Sequence, residues 1–135
     1  MKPIPSAIII ITIVALYSLI ALVSCEGAEI DEKQAIRAII GEASNQGYEG
    51  MLAVACGIRN RGSLKGVYGL RAKHVQNEPE WVFKEAKRAW VESEVARVHK
   101  GTHWENVRAF GEPYWVKDMV EVYRVGDHVF YREVE

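Results

Sequence analysis

Apolar residues recur with helical spacing in the part of the chain that carries charged residues. The first helix is predicted over residues 31–43, with Asp31 as its N-cap. Turn residues follow, and a second apolar helix is predicted over residues 48–60. The apolar stripe of the first helix consists of Ile36, Ile39, Ile40 and Ala43.

A third helix is predicted over residues 79–100. Pro79 suits the first turn of this helix. His99 and Lys100 suit the negative, C-terminal end of the helix dipole, and Gly101 suits the exit from the helix. Trp81 and Phe83 widen its apolar surface and fit either the core or a cleft. Residues 61–77 are predicted to form a basic, weakly patterned loop.

The pattern changes to strand-like alternation near the C-terminus. Two β-rich runs flank Gly126 and Asp127, which predicts a hairpin with a two-residue turn. We therefore expect a small, mainly helical α+β domain with a late antiparallel hairpin.

The N-terminal segment has the pattern of an export signal. Lys2 is followed by an uncharged apolar run from Pro3 to Ser24, and Cys25 ends the sequence Leu-Val-Ser-Cys, which is similar to a bacterial lipobox. We predict a lipoprotein signal over residues 1–24 with lipidation at Cys25, a tether over 25–31 and the domain over 32–135. An uncleaved membrane anchor and ordinary secretion are the alternatives.

Composition limits the chemistry that the chain can perform. The 135 residues have a formal net charge of −1, so the chain lacks the basic excess of nucleic-acid-binding domains. Cys56 lies in an apolar helical context, which favours a packing thiol over the alternative of a reactive or disulfide-bonded one. The four histidines are scattered, so neither a metal site nor a cofactor is predicted.

Glu42 is the candidate catalytic residue. It lies about 110° from the centre of the apolar stripe of its helix, at the boundary between core and solvent. A carboxyl group that is partly removed from water retains its proton more readily, as a general acid requires. Alone, this position is also typical of an ordinary surface glutamate.

The residues around Glu42 resemble a known family signature. The run GEASNQGYEGMLAVACGIRNR, over residues 41–61, is similar to the GEARGExxxGxxAVAxVIxNR pattern of the spore-cortex-lytic, SleB-like cell-wall hydrolases. The segment THWEN over residues 102–106, Trp115 and the run GDHVFY over 126–131 match later motifs of that family in the same order.

This resemblance implies a lysozyme-like fold and cleavage of peptidoglycan between N-acetylmuramic acid and N-acetylglucosamine. It also implies that the chain is a lytic transglycosylase with Glu42 as its one catalytic carboxylate. The expected partners are peptidoglycan strands and, through the N-terminus, the cell-envelope membrane. The sequence leaves open whether a regulatory protein partner controls the activity.

Four residues are candidates for sugar contacts. Aromatic faces stack on sugars, and amides bond to N-acetyl groups, which makes His103, Trp104 and Asn106 suitable. Tyr131 could point into the same cleft. The alternatives are structural: a capped turn with a buried tryptophan, and a tyrosine packed in the core.

The chain also departs from the family pattern. Gln46 replaces the second glutamate of GEARGE, Ser44 replaces its arginine, and residues 62–100 contain no recognisable family motif. These differences motivate an alternative function, a non-catalytic peptidoglycan-binding lipoprotein on the same fold. A third possibility is an unrelated membrane-anchored interaction module.

Overall fold

The computed structural model describes residues 28–135, so the predicted signal segment and Cys25 lie outside the described residues. Helices and strands combine in one α+β arrangement, as the pattern predicts. None of the helices within residues 28–135 has the length and apolarity needed to span a membrane. The helices are α1 (Glu32–Ala43), α2 (Gly47–Arg61), α3 (Glu80–Glu92) and the short α4 (Val107–Phe110). The strands are β1 (His103–Asn106), β2 (Met119–Val125) and β3 (His128–Glu133).

Helix α1 begins where the sequence predicts. The Asp31 carboxylate accepts a hydrogen bond of 2.9 Å from the Gln34 backbone N–H, which satisfies one of the free donors of the first turn. The helix buries one face and ends before the turn that leads to Gly47. That face carries Ala35, Ala38, Ile39, Ile40 and Ala43.

Helix α2 is the centre of the core. Every residue from Gly50 to Ile58 is buried, so this helix is apolar on all sides rather than along one stripe. It packs against α1, α3 and the sheet. The chain leaves it at Gly62, whose φ of 69° places it in the left-handed region that favours glycine.

Helix α3 is shorter than the sequence predicts. The predicted end at residue 100 is wrong, because the helix stops at Glu92 and residues 93–102 continue as a non-helical segment. The buried Ser93 hydroxyl donates to the Trp90 carbonyl and accepts from Arg59 Nε at 2.7 Å. Because the Trp90 carbonyl already accepts a bond from Ser93, it is not free to accept one from the next helical turn, and the helix stops.

His99 is therefore not a cation at a helix end. It is only 6% exposed, its Nδ1 accepts from the Gly101 N–H at 2.9 Å, and its Nε2 donates to the Ala53 carbonyl at 2.8 Å. Burial lowers the pKa of His99, so the ring is neutral. The segment after α3 is thus fixed by tertiary hydrogen bonds rather than by helical ones.

The three strands form an antiparallel sheet in the order β1-β3-β2. The predicted hairpin between β2 and β3 is confirmed, with Gly126 at φ 54° in its turn. Strand β1 pairs His103 with Tyr131 and Asn106 with His128 on the other edge of β3. Strand β3 is therefore the central strand of the sheet, with β1 and β2 on its two edges.

Three 3₁₀ turns complete the described chain. Two of them, Tyr68–Arg71 and Lys73–Asn77, give structure to the segment that was predicted to be a loop. The first packs closely on α1. The third, Tyr114–Asp118, leads into β2.

Candidate functional site

The two carboxylate oxygens of Glu42 are held by donors from two different parts of the chain. Oε1 accepts from the Gly69 backbone N–H at 2.7 Å, and Oε2 accepts from the Trp104 indole N–H at 3.3 Å. Glu42 is partly buried at the C-terminal end of α1. These two donors fix the direction of a carboxylate that is 27 residues from one partner and 62 from the other.

The bond from Gly69 depends on a close approach between two glycines. A Cβ on Gly41 would lie 1.9 Å from the Gly69 carbonyl oxygen, and a Cβ on Gly69 would lie 2.6 Å from the Ala38 carbonyl oxygen. Any side chain at either position would push the 3₁₀ turn away from α1. Gly41 therefore allows the 3₁₀ turn to approach α1 closely enough for the Gly69 N–H to donate to the Glu42 carboxylate.

Trp104 reaches Glu42 because Gly57 leaves room for its ring. A Cβ on Gly57 would lie 2.8 Å from the indole. The ring also packs near Phe130 of the central strand, with ring centroids 6.0 Å apart. A small residue on α2 and an apolar residue on β3 thus aim the indole N–H at the carboxylate.

Glu42 lies on the wall of a cavity of about 160 Å³. The aromatic rings of its lining come from the first 3₁₀ turn, from β1 and from residue 115. A second carboxylate, that of Glu105, is also present. The lining residues are Glu42, Arg61, Gly66, Val67, Tyr68, His103, Trp104, Glu105 and Trp115. Such a combination of polar groups and aromatic faces suits the binding of a hydroxyl-rich ring.

Arg61 is the cationic residue of this cavity. Its guanidinium lies over the Trp104 ring, 4.7 Å from the centroid, and donates to the Thr102 and Lys65 carbonyls. Burial lowers the pKa of Arg61, whereas the charge of Glu42 raises it. These contacts brace the C-terminal end of α2, and the guanidinium also interacts with the charge of Glu42.

His103 and Tyr131 belong to a cluster of aromatic rings around Trp115. The His103 and Trp115 centroids are 5.7 Å apart, and Trp115 meets Tyr131 edge-on at 5.4 Å. Burial and the nearby Arg61 lower the pKa of His103, so its ring is neutral near pH 7. Tyr131 is 3% exposed and contacts Trp115 outside the cavity lining, whereas His103 is a lining residue.

Two of the four predicted sugar contacts, Asn106 and Tyr131, are not lining residues of this cavity. The Asn106 side chain accepts from the Ala109 N–H at 2.9 Å and caps α4 instead of lining the cavity. Glu49 is exposed in the first turn of α2 and is not a lining residue. The cavity therefore brings together Glu42, His103, Trp104 and Trp115 of the residues that the sequence singles out.

Gln46 has a structural role that its sequence position does not reveal. Its Oε1 accepts from the Asp127 backbone N–H at 2.9 Å, and its Nε2 donates to the Asp127 carboxylate at 3.3 Å. An amide can make both bonds, whereas a glutamate would present a second negative charge to Asp127. Gln46 therefore joins the start of α2 to the hairpin turn.

Sequence reasoning missed Tyr68, Gly69 and Gly57. Tyr68 and Gly69 lie in the weakly patterned segment, where neither helical nor strand periodicity marks a residue as important. Gly57 interrupts the apolar run of α2, and a glycine inside a predicted buried helix was the one available signal of a close contact.

A larger cavity of about 590 Å³ lies at the N-terminal end of the domain. Its two arginines are already engaged: Arg59 by the Trp90 carbonyl and ring, and Arg97 by Asn60. Among residues 28–135, none of its lining carboxylates is held between two hydrogen-bond donors as Glu42 is. The chemistry of the lining residues, rather than the cavity volume, therefore makes the smaller cavity at Glu42 the candidate functional site.

Comparison with known proteins identifies no relative: no family model matches the chain, and neither a curated protein nor a solved structure gives a significant match. The function must therefore be argued from the site.

Proposed function

We propose that this domain cleaves peptidoglycan glycan strands between N-acetylmuramic acid and N-acetylglucosamine, as a lytic transglycosylase with Glu42 as its acid and base. The observation that carries the proposal is the fixed Glu42 carboxylate in an aromatic-lined cavity. The resemblance of residues 41–61 and of the later motifs to SleB-like hydrolases supports it. A lysozyme-like fold is part of the same proposal.

The two oxygens of Glu42 suit different tasks. Gly69 holds Oε1 at 2.7 Å, whereas the longer bond of 3.3 Å from Trp104 leaves Oε2 less firmly engaged. We assign the transferable proton to Oε2. The Gly69 N–H then orients the group in both of its protonation states, because one oxygen always remains an acceptor.

The proposed reaction returns Glu42 to its starting state. Its proton passes to the glycosidic oxygen as the bond from C1 of the muramic acid breaks, and the electron pair stays on the departing glucosamine oxygen. The C6 hydroxyl of the muramic acid closes on C1 and gives its proton back to Glu42. The product has a 1,6-anhydro end, and water is not consumed.

Aromatic and charged residues of the cavity would bind the substrate. Tyr68 is 84% exposed at the rim, and Trp115 lies among the lining residues on another element, so each can offer a ring face to a sugar. Arg61 can attract the carboxylate of the lactyl group or of a peptide stem. The three residues come from three separate segments of the chain, so the tertiary structure fixes their positions relative to one another.

Hydrolysis is the second candidate reaction, and Glu105 favours it. Glu105 lines the same cavity, so it could activate a water molecule opposite Glu42. However, its Oε1 already accepts from the Asn106 backbone N–H at 2.9 Å. We therefore place Glu105 second, as the residue to test if the products have reducing ends.

The location of the activity is also a proposal. The uncharged run before Cys25 would export the chain and hold it at the membrane, with the domain on the extracytoplasmic side. The alternative of a non-catalytic glycan-binding lipoprotein loses one of its motives, because Gln46 has a structural partner in Asp127.

The test is a digest of purified peptidoglycan by the full chain in mild detergent, with products identified by mass spectrometry. We expect soluble fragments with 1,6-anhydromuramic ends. Glu42→Gln should reduce their release by about 10³-fold or more, because it removes the transferable proton. Glu49→Gln is the matched control, since Glu49 is exposed outside the cavity, and it should retain full activity.

The products decide between the candidates. Reducing muramic ends that disappear in Glu105→Gln would establish hydrolysis. Binding to peptidoglycan without release of fragments would instead support the non-catalytic lipoprotein.

A further inference from the structure

One wall of the Glu42 cavity comes from a segment that lies on the surface of the domain. Trp115 forms this wall and belongs to residues 107–118, which connect β1 to β2. None of these residues is buried, and the rings of Phe110 and Tyr114 are 78% and 89% exposed. Trp115 is the aromatic residue of the segment whose ring packs against rings of the sheet.

Hydrogen bonds to the rest of the domain hold only the start of this segment. The Val107 N–H donates to the Asp127 carbonyl at 3.1 Å, and Arg108 pairs with the Asp127 carboxylate at 3.6 Å. Among the described residues, the hydrogen bonds of residues 109–118 stay inside the segment or reach only the residues that flank it. A segment with few buried contacts and few bonds to other elements opens locally at low cost.

The face of the sheet beneath the segment forms a small cluster of its own. Val129 and Tyr131 of β3 are 0% and 3% exposed, but neither belongs to the main core, which contains Phe130 between them. Trp115 meets the Tyr131 ring edge-on, with the ring centroids 5.4 Å apart, and α4 contacts β3. The middle of the segment is therefore held over the sheet by side-chain packing rather than by hydrogen bonds.

The other walls of the cavity are attached more firmly. Close contacts between glycines hold the Tyr68 turn against α1, and the Gly69 N–H donates to Glu42. Residues 103–105 belong to β1, which is paired with the central strand, and Arg61 ends the buried helix α2. A change in the width of the cavity would therefore come from the side of Trp115.

The cavity is small for the substrate proposed above. Its volume of about 160 Å³ lies below the roughly 300–1,000 Å³ of most ligand sites, whereas the bond to be cut joins two bulky amino sugars. A glycan strand that reaches Glu42 would therefore need more space than this cavity has.

We propose that Trp115 is a movable wall of the Glu42 cavity: it packs on Tyr131 in the free chain and leaves that position to admit a glycan strand. Tyr131 is a positioning residue, because it lies outside the cavity lining and acts through the ring that it holds. A displaced Trp115 exchanges its contact with Tyr131 for the face of a sugar. The identity of the ligand rests on the proposed function, whereas the weak attachment of the wall does not.

Amide hydrogen exchange of the full chain in mild detergent, without any glycan, tests the attachment of the wall. Leu70 and Ala72 of the first 3₁₀ turn and Gly111 and Val116 of the segment all donate to carbonyls three or four residues earlier. Because these bonds are alike, we expect Gly111 and Val116 to exchange about tenfold faster or more. Equal protection of the two pairs would overturn the inference.

Two variants test the positioning role of Tyr131. Tyr131→Leu removes the ring and should speed exchange at Gly111 and Val116 by a further factor of about ten, whereas Tyr131→Phe keeps the ring and should behave as the native chain. Exchange at Leu70 and Ala72 should not change in either variant. Equal acceleration at all four amides would mean that Tyr131 only stabilises the fold.

Trp115→Leu removes the same contact from the surface side, so it decides the question if Tyr131→Leu does not fold. It should also speed exchange within the segment. Tyr114→Leu is the matched control, because it removes the ring of the adjacent residue, which is 89% exposed, and it should leave exchange unaltered. Equal effects of these two variants would contradict the proposed contact.

Glycan binding tests the movement of the wall. The Glu42→Gln chain is labelled with fluorotyrosine, and a soluble tetrasaccharide of alternating N-acetylglucosamine and N-acetylmuramic acid is added. Tyr131 does not line the cavity, so its fluorine signal should shift because it loses the Trp115 ring, while Tyr48, also outside the lining, should not respond. A shift of the Tyr68 signal alone would show binding without movement and would overturn the proposal.

The exchange experiment contains no glycan and measures no cleavage. A tetrasaccharide that does not bind, or a digest that releases nothing, would count against the proposed function, and the exchange rates would still decide the attachment of the wall. Equal protection of the two turns would refute the movable wall and leave the proposed activity standing.

Discussion

The Trp104 side chain makes one polar contact and one apolar contact. Its N–H donates to Glu42, and its ring fills the space above Gly57. Trp104→Phe should preserve most of the packing but remove the donor. We expect cleavage to slow by about 10–100-fold and the free energy of unfolding to fall by about 1–2 kcal/mol.

Peptidoglycan digestion and urea denaturation measure the two effects. Trp81→Phe is the same substitution at an exposed residue and should change neither quantity when it is assayed in detergent. Full activity of Trp104→Phe would mean that the indole N–H has no part in the reaction.

The bonds between Gln46 and Asp127 suit an amide at residue 46, where the SleB-like pattern has a glutamate. Gln46→Glu would place a carboxylate beside that of Asp127. We expect a loss of about 1 kcal/mol in the free energy of unfolding at neutral pH, which diminishes in acid as one carboxylate becomes protonated.

Urea denaturation at neutral and acidic pH tests this expectation. Gln76→Glu makes the same change at an exposed residue of the second 3₁₀ turn and serves as the control. An unaltered midpoint for Gln46→Glu would show that the hairpin turn adapts to the charge.

At the scale of elements, the C-terminal end of α2 positions the chain that leads into β1. The Asn60 amide donates to the His99 and Gly101 carbonyls, each at 2.9 Å, and Arg61 donates to the Thr102 carbonyl. These bonds hold the segment directly before His103. Asn60 and Arg61 thus support the site through the backbone of a neighbouring segment.

Asn60→Ala should therefore destabilise the fold and disturb the cavity. The carbonyls of His99 and Gly101 would lose their donor, which lowers the free energy of unfolding by about 1–3 kcal/mol. The cleavage activity of the protein that remains folded should also fall. Thermal unfolding and peptidoglycan digestion check both effects. Asn77→Ala, at an exposed residue, should leave stability and activity near native values, and equal behaviour of the two variants would refute the argument.

At the scale of the whole molecule, buried histidines connect stability to pH. Burial lowers the pKa of His99, which Arg97 lowers further and the Ala53 carbonyl raises; burial also lowers the pKa of His128, against the opposing effect of Asp127. In the unfolded chain the pKa returns to about 6.5. The unfolded state therefore binds more protons below that pH, so stability is highest above it and falls as the solution is acidified.

Urea denaturation between pH 7.5 and 5.5, on either side of the unfolded value of about 6.5, should show this decline. His128→Phe should reduce the pH dependence and preserve or increase stability at neutral pH, because the buried His128 Nδ1 has no hydrogen-bond partner within residues 28–135. A steeper pH dependence in this variant would contradict the assignment.

The sequence by itself determined the local elements and indicated the candidate catalytic residue. Periodicity and capping residues located α1, α2 and the hairpin, because these signals act between neighbours along the chain. The run of residues around Glu42 identified the candidate acid, and the later motifs identified His103 and Trp104. Each of these features can be found from residues that are close together in sequence.

Only the tertiary structure decided which groups surround Glu42 and where α3 ends. Gly69 and Trp104 reach the carboxylate through contacts across 27 and 62 residues, and Ser93 stops α3 with the help of Arg59 from another helix. No periodicity records such contacts. They depend on how closely two elements can approach each other. Glycines, which have no side chain, allow the closest approaches, and the geometry of individual hydrogen bonds fixes the final positions.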